Sequence, residues 1–364
     1  MKEVYVVDRQ ICSGCLACKE ICPVNAINMI IDEEGFNYPL INKEKCIECG
    51  ECRKFCAVKR EDIQHDKKPI DVIGAKIKNE KERITSRSGG IFITLANNIL
   101  EQDGVVYGCK MGENFEVYHS RATSKKEIDE FKGSKYVQSD LREVYNQVRR
   151  DLKDGKKVLF SGTGCQIAGL NVVLEGINAD NLYTCDLICH GVPSPLIFKE
   201  FINFMQEKEG NRIVNIDFRD KKYGWSAHKE TLTFEDKKIT TNYYTELFYS
   251  HFILRPSCYN CQFSNMDRIA DITIGDFWGI DKERKDFNDE KGVSIILVNT
   301  VKGKQLLEKV KENIDWFNVY SDSYMQHNLH SPSIKPKNRE MFWEDYRNKG
   351  FEYIIKKYTK YEGE

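Results

Sequence analysis

The chain has 364 residues, 41% of them hydrophobic and 30% charged, a balance that folds and lacks the low-apolar, high-charge signature of disorder. Its 55 Lys and Arg against 56 Asp and Glu leave a formal charge of −1, so no global field steers it onto nucleic acid or an anionic bilayer. The length suggests two or three domains, and the most apolar runs, Ile91 to Leu100 and Val293 to Val298, fall far short of the ~20 residues of a membrane helix.

The opening Met1-Lys2-Glu3-Val4-Tyr5-Val6-Val7-Asp8 lacks the basic-then-apolar order of a secretory leader, which makes the cytoplasm the expected compartment. In such a reducing compartment fourteen cysteines read as metal ligands or redox groups rather than disulfides. Cys12, Cys15, Cys18 and Cys22, followed by Pro23, have the spacing C-x2-C-x2-C-x3-C, and Cys46, Cys49, Cys52 and Cys56 repeat it. Three thiolates at such spacing wrap one 4Fe-4S cube, while the fourth points to the other cube of a pair. The expected sets are therefore Cys12, Cys15, Cys18 and Cys56 for one cluster, and Cys46, Cys49, Cys52 and Cys22 for the other. Gly14 and Gly50 beside these ligands would let backbone N–H groups approach the sulfurs. Structural zinc is the alternative, but it uses separated C-x2-C knuckles and leaves eight thiolates poorly explained. Residues 3 to 62 resemble the bacterial two-cluster ferredoxins, with Ala57 in the place where the second motif often carries proline.

Residues 59 to 71 are charged and aperiodic and read as a boundary between modules. Beyond it, strand-like runs at 104–109, 115–119, 156–160, 182–188, 213–218, 230–234, 269–275 and 293–299 alternate with helical stretches near 90–102, 141–153, 165–175, 195–208 and 302–313. The expected fold is α+β with α/β-like character. A small two-cluster domain (1–65) and a linker (66–82) lead into a larger mixed α/β domain (83–330), and a helical tail follows (331–364).

Six cysteines remain: Cys109, Cys165, Cys185, Cys189, Cys258 and Cys261. Cys165 follows a strand at a turn that opens a helix, where the dipole would lower its thiolate pKa and suit it to metal binding. By spacing alone this set suits iron–sulfur, zinc or buried free thiols. The domain then shows, in order, Ser86-Arg-Ser-Gly-Gly90, Gly133-Ser-Lys-Tyr-Val137, Gly162-Thr-Gly-Cys-Gln166, Cys189-His-Gly-Val-Pro193, Cys258-Tyr-Asn-Cys261 and Ala270-Asp-Ile-Thr-Ile-Gly-Asp-Phe-Trp278. Over about residues 72 to 310 this ordered set resembles the beta-subunit family of coenzyme F-420 hydrogenases and dehydrogenases, FAD-containing iron–sulfur proteins often fused to a two-cluster ferredoxin.

The resemblance implies a third 4Fe-4S cluster on Cys165, Cys189, Cys258 and Cys261, with Cys185 and Cys109 as structural thiols. Cys185 lies four residues before Cys189 on a strand-like run, so the two share a face and a swap of ligand stays open. The resemblance also implies FAD. The turn Ser86, Arg87, Ser88, Gly89 and Gly90 precedes an apolar helix and could cradle its pyrophosphate, although by itself the turn reads more simply as a Ser N-cap. Lys135, Thr163, Asp276, Phe277 and Trp278 are candidates for the ring's surroundings. Trp225, His228 and His190 read as packing or hydrogen-bonding residues. The function so implied is an oxidoreductase moving electrons between a low-potential donor such as ferredoxin or another redox protein, 4Fe-4S clusters, FAD and an organic or hydride-carrier substrate. The alternatives are turnover of coenzyme F-420 itself and a non-catalytic electron-transfer subunit of a larger complex.

Overall fold

The structure is a computed structural model that describes residues 5–60 and 68–361; part of the expected boundary, residues 61–67, lies outside the described residues. Thirteen strands occur among them. In the N-terminal module β1 (Ile27–Ile31) pairs antiparallel with β2 (Asn37–Ile41), and each cysteine run carries one short helix, Ala17–Glu20 and Glu51–Lys54. The rest is built on β3 (Asp71–Ile77), β4 (Val105–Met111), β5 (Val117–Ala122), β6 (Val158–Gly162), β7 (Leu182–Leu187), β8 (Ile213–Asp217), β9 (Glu230–Phe234), β10 (Lys238–Thr241), β11 (Ile272–Asp276), β12 (Ser294–Val298) and β13 (Ile314–Asn318).

Eight of these form one mixed sheet in the order β13-β3-β12-β11-β7-β6-β4-β5, and β10-β9-β8 form a second, antiparallel sheet. Strands β4, β6, β7 and β11 run parallel. Strand β12 has all five residues buried, as a strand covered on both faces must. Alternation along β4 sorts the core. Val106 points to helices 91–100 and 301–308, whereas Val105 and Tyr107 point to helices 144–153 and 164–173.

Helix 144–153 buries Val144, Tyr145, Val148, Asp151 and Leu152, the stripe its sequence spacing requires. Helix Pro195–Glu209 begins at an N-cap serine, Ser194, with proline in its first turn, and ends at Gly210 in the left-handed region. The C-terminal helix Arg339–Tyr358 is broken at Gly350 and packs into the same core as helix 195–209. Residues 66–82, expected as a linker, instead contribute β3, which lies between β12 and β13, and the first half of the helix Glu80–Thr85. The polar Asp71 and Lys76 and the central Gly74 hide that strand from a periodicity reading.

The N-terminal module is seated on the larger one. Leu16, Ala17 and Ala57 join the core formed with helix 164–173. A Cβ on Gly169 would stand 3.0 Å from that of Cys15, so the helix has no room for a side chain there.

Candidate functional site

The eight N-terminal cysteines fold into two groups. Burial pushes the Cys15 thiol up to about 11, with Cys12 and Cys56 adding to it, and Cys18 is raised by burial and then by Cys15, Cys12 and Cys56. These four surround a void of about 20 Å³. In the other group the Cys52 thiol is raised by burial and by Cys22, Cys46 and Cys49, and Cys49 is exposed. The last cysteine of each run thus sits with three of the other. Gly14 and Gly50 both have positive φ. Gly14 has a second constraint, because a Cβ there would stand 2.8 Å from the Arg255 guanidinium.

Cys165, Cys189, Cys258 and Cys261 also come together, around a cavity of about 90 Å³. Cys165 does not have the lowered pKa that its helix position suggests. It is the second residue of helix Gly164–Val173, yet burial, Cys261, Cys189 and Cys258 hold its thiol well above the ordinary value. Desolvation of a buried charge outweighs a helix terminus. Burial and Cys261 push Cys189 up to about 11, and Cys258 is raised likewise by burial, Cys189 and Cys261. Crowded, buried thiols of this kind resist ionisation until a metal centre neutralises them. Hydrogen bonds already aim at the sulfurs: Gly191 N–H donates to Cys189 Sγ (3.4 Å), Val192 N–H to Cys258 Sγ (3.4 Å), and Thr163 Oγ1 lies 3.1 Å from Cys165 Sγ. Among the described residues no three His, Cys, Asp or Glu side chains stand where one metal ion could bind them all.

Cys185 is not in this group. It is fully buried in the apolar core beside Ile272 and Leu159, with Asp186 and Asp271 as its charged neighbours. Strand β7 ends at Leu187, so the alternation that would align Cys185 with Cys189 stops before Cys189. The next residue, Asp186, carries a buried ion pair of 2.5 Å with Arg268. Arg268 also donates to Leu187 O and Phe263 O, tying the Cys258–Cys261 loop to the sheet.

Beside the rear thiols a cavity of about 480 Å³ opens at the C-terminal ends of the parallel strands, where open α/β sheets place ligands. Ser86, Arg87, Ser88, Gly90, Lys135, Thr163, Asp276 and Trp278 all line it. Gly89 sits just behind, its N–H donating to Ser294 Oγ (2.9 Å) and its Cα too close to the Ala75 carbonyl for any Cβ. Phe277 is instead fully buried on the far side, in the core with Val293 and Ile295.

The cap of helix Ile91–Leu100 is Gly90 at φ 80, with no side-chain cap bond; the expected Ser N-cap is absent, and the first turn, Gly90 to Ile93, lines the cavity with the N–H groups a helix start leaves unpaired. Arg87 donates from one terminal nitrogen to Arg219 O (2.5 Å), while its Nε and other terminal nitrogen have no partner among the described residues. Ser86 Oγ, Arg219 Nε and Asp276 Oδ1 are equally buried and unsatisfied. Five such atoms around one cavity are too many to leave without a ligand. Donors from Arg87 and a helix N-terminus fit a phosphate-bearing group. Burial lowers the Lys135 ammonium to about 8, and it is held by the carbonyls of Glu130 and Lys132.

Two wall residues, His119 and Arg219, stand in none of the sequence motifs. His119 is buried with its pKa lowered to about 4 by burial. Its Nε2 lies 2.9 Å from Ser161 O and its Nδ1 3.0 Å from Ser139 Oγ, which Gln166 Nε2 also reaches (2.9 Å). Arg219 pairs with Asp276 and lies 5.0 Å over the Trp278 ring; Trp278 stacks on Trp225 at 5.4 Å. His190 and His228 line the same cavity, and His190 Nε2 is 2.8 Å from His251 Nε2. These contacts arise between segments far apart in the chain, so local pattern carries no trace of them.

Residues 155–316 match the family model for the C terminus of the coenzyme F-420 hydrogenase/dehydrogenase beta subunit. That span is shorter than the motifs suggested. Residues 11–59 match the model of a 4Fe-4S dicluster domain. One subunit of the F(420)H(2) dehydrogenase of Methanosarcina mazei is 22% identical over 207 residues, 52% of this chain and 56% of that protein. One subunit of the H(2):CoB-CoM heterodisulfide,ferredoxin reductase of Methanothermobacter marburgensis is 30% identical over 84 residues, 20% of this chain and 12% of that protein. The chain thus spans about half the length of the first relative and a small part of the second. A chain of the F-420-reducing nickel–iron hydrogenase complex from Methanosarcina barkeri shares the fold, with a TM-score of 0.51 at 17% identity, covering 80% of this chain and 90% of that one. The N-terminal module is a 4Fe-4S dicluster domain, and the larger module is related to the F-420 hydrogenase/dehydrogenase beta subunits.

Proposed function

We propose that this chain is a cytoplasmic iron–sulfur flavoprotein oxidoreductase that moves electrons between a low-potential donor, such as ferredoxin, and an organic or hydride-carrier substrate. One observation carries the reading. Cys18 of the inner group feels Cys52 of the outer one, whose Cys49 is exposed; Ile11, Ser13 and Val58 of the dicluster module line the rear thiol cavity, and Cys189 belongs to the walls of both that cavity and the large one. In this reading Cys12, Cys15, Cys18 and Cys56 hold one cube, Cys22, Cys46, Cys49 and Cys52 a second, and Cys165, Cys189, Cys258 and Cys261 a third. FAD in the large cavity would supply the exchange between a two-electron hydride and the single electrons that cubes carry.

The chain's own residues then have separate tasks. Arg87 and the open end of helix 91–100 hold an anionic group, with Ser86, Ser88, Gly89 and Gly90 shaping the approach. Thr163 closes the cavity wall beside the third thiol group, Lys135 lines the cavity near Cys109, and Asp276 keeps Arg219 oriented. The Arg268–Asp186 pair fixes the loop that bears Cys258 and Cys261. Seating the dicluster module on helix 164–173 makes electron delivery intramolecular, independent of carrier concentration.

The test is anaerobic purification with iron and flavin quantified: about twelve iron atoms, from three full cubes, and one flavin are expected. A protein without flavin, or with about eight iron atoms, refutes the scheme. In a second reading the chain passes electrons to or from coenzyme F-420 within a larger complex. The family description of residues 155–316 favours it, as do relatives named as subunits. Bleaching of the bound flavin by reduced coenzyme F-420, but not by reduced ferredoxin, would select it.

A further inference from the structure

Five arginines are buried in the described chain: Arg83, Arg219, Arg255, Arg268 and Arg339. Four have a carboxylate, respectively Asp289, Asp276, Asp186 and Glu34. Arg255, at 0% exposure, has no ion pair among the described residues. Its guanidinium donates to three neutral oxygens: Cys12 O (2.6 Å), Gln138 Oε1 (3.0 Å) and Asn37 O (2.9 Å). It lies 4.3 Å over the Tyr38 ring, which attracts a cation but carries no net charge. A buried charge left at this level of compensation is costly, so a negative group belongs nearby.

The position of Arg255 shows where that charge comes from. Its side chain holds the carbonyl of Cys12, in the inner N-terminal thiol group. Its backbone oxygen accepts from Cys258 N–H, and it lines the rear thiol cavity. It therefore stands between two groups of four cysteines, each of which becomes a net anion when it holds a four-iron cube. We propose that Arg255 is a positioning residue whose fixed positive charge is balanced by these two clusters and raises their reduction potentials. A cation beside a cluster favours the reduced form, which carries the extra electron. The same residue bolts the dicluster module to the larger one. Electrons would thus be drawn from the exposed outer group toward the pair of sites flanking Arg255. The inference rests on the three-cluster reading above.

Two variants of the full-length holoprotein test it by anaerobic redox titration followed by electron paramagnetic resonance. Arg255→Gln removes the charge. Gln138→Glu leaves Arg255 in place and sets a carboxylate against it, so it answers the question even where Arg255→Gln loses iron. Each is expected to lower the potential of an inner or rear cluster by at least one tenfold change in the reduced-to-oxidised ratio, about 59 mV for one electron, with the outer cluster unmoved. Arg255→Lys, which keeps the charge, should stay near wild type. Gln138→Glu with full iron content and unchanged potentials overturns the proposal, as does an equal shift at all clusters. Failure of the three-cluster reading looks different, since iron in the wild type would then stop at about eight atoms.

Discussion

The seating of the dicluster module on helix 164–173 can be challenged with a single carbon atom. In Gly169→Ala the added Cβ would lie 2.8 Å from Tyr145 Oη, 3.0 Å from Cys15 Cβ and 3.2 Å from Cys15 O. The Tyr145 hydroxyl cannot retreat freely, because it donates to Gln166 O at 2.6 Å. Overpacking of this kind costs about 1–3 kcal/mol. Replacing a helix-interior glycine by alanine contributes about 1 kcal/mol in the opposite direction. The net effect is a loss of between about 0 and 2 kcal/mol, up to about a 30-fold rise in local opening. It should be confined to the contact. Amide hydrogen exchange should quicken over residues 12–18 and at the start of helix 144–153, and stay unchanged in β6 and β7. A variant stabilised by the full ~1 kcal/mol of helix propensity, with exchange over residues 12–18 unaltered, would show that the modules do not meet here.

Four further outcomes follow from the site. Cys258→Ala should lower iron from about twelve atoms to about eight, leaving the signals of the dicluster module intact on paramagnetic resonance. Arg87→Gln removes a charged donor from the large cavity, worth about 1.5–3 kcal/mol; calorimetry with FAD should find affinity about 10- to 150-fold weaker. Asp186→Ala leaves Arg268 charged and buried without its partner, and denaturant titration should find a loss of about 3–5 kcal/mol. His119 supplies a pH test. Burial lowers its pKa from 6.5 to about 4, so between these values the unfolded chain binds more protons and stability rises with pH. The contribution, about 3 kcal/mol, is complete above pH 6.5 and is lost as pH falls through 4. In His119→Gln the slope of stability against pH over that window should flatten.

Regular segments were legible where burial imposes a simple period. Helices 144–153 and 195–209 and strands β6, β7 and β12 announce themselves by apolar spacing, as each shows the core one fixed face or none but apolar ones. Strands β3, β10 and β13 did not, because short strands with charged or small residues acquire their partners only from the sheet around them. Candidate site residues followed the same division. Ser86 to Ser88, Gly90, Thr163 and Asp276 stand in local motifs at strand and helix ends, and the cavity brings them together. Phe277 shares the motif of Trp278 but faces the core, and Cys165 shows that a helix terminus foretells less than burial. His119, Arg219 and Arg255 escaped notice altogether, since their roles depend on contacts with segments remote in sequence.

The chain alone determined that cysteines at repeated short spacing make a dicluster module, because ligands a few residues apart must converge whatever surrounds them. It determined as well that apolar runs of strand and helix length alternate through a mixed α/β domain. Only the tertiary structure decided which rear cysteine stays in the core and which four gather, where the large cavity opens, and that a cation with no ion pair among the described residues lies between two thiol groups. Those outcomes are set by burial and charge across distant segments, and neither quantity exists until the chain has folded.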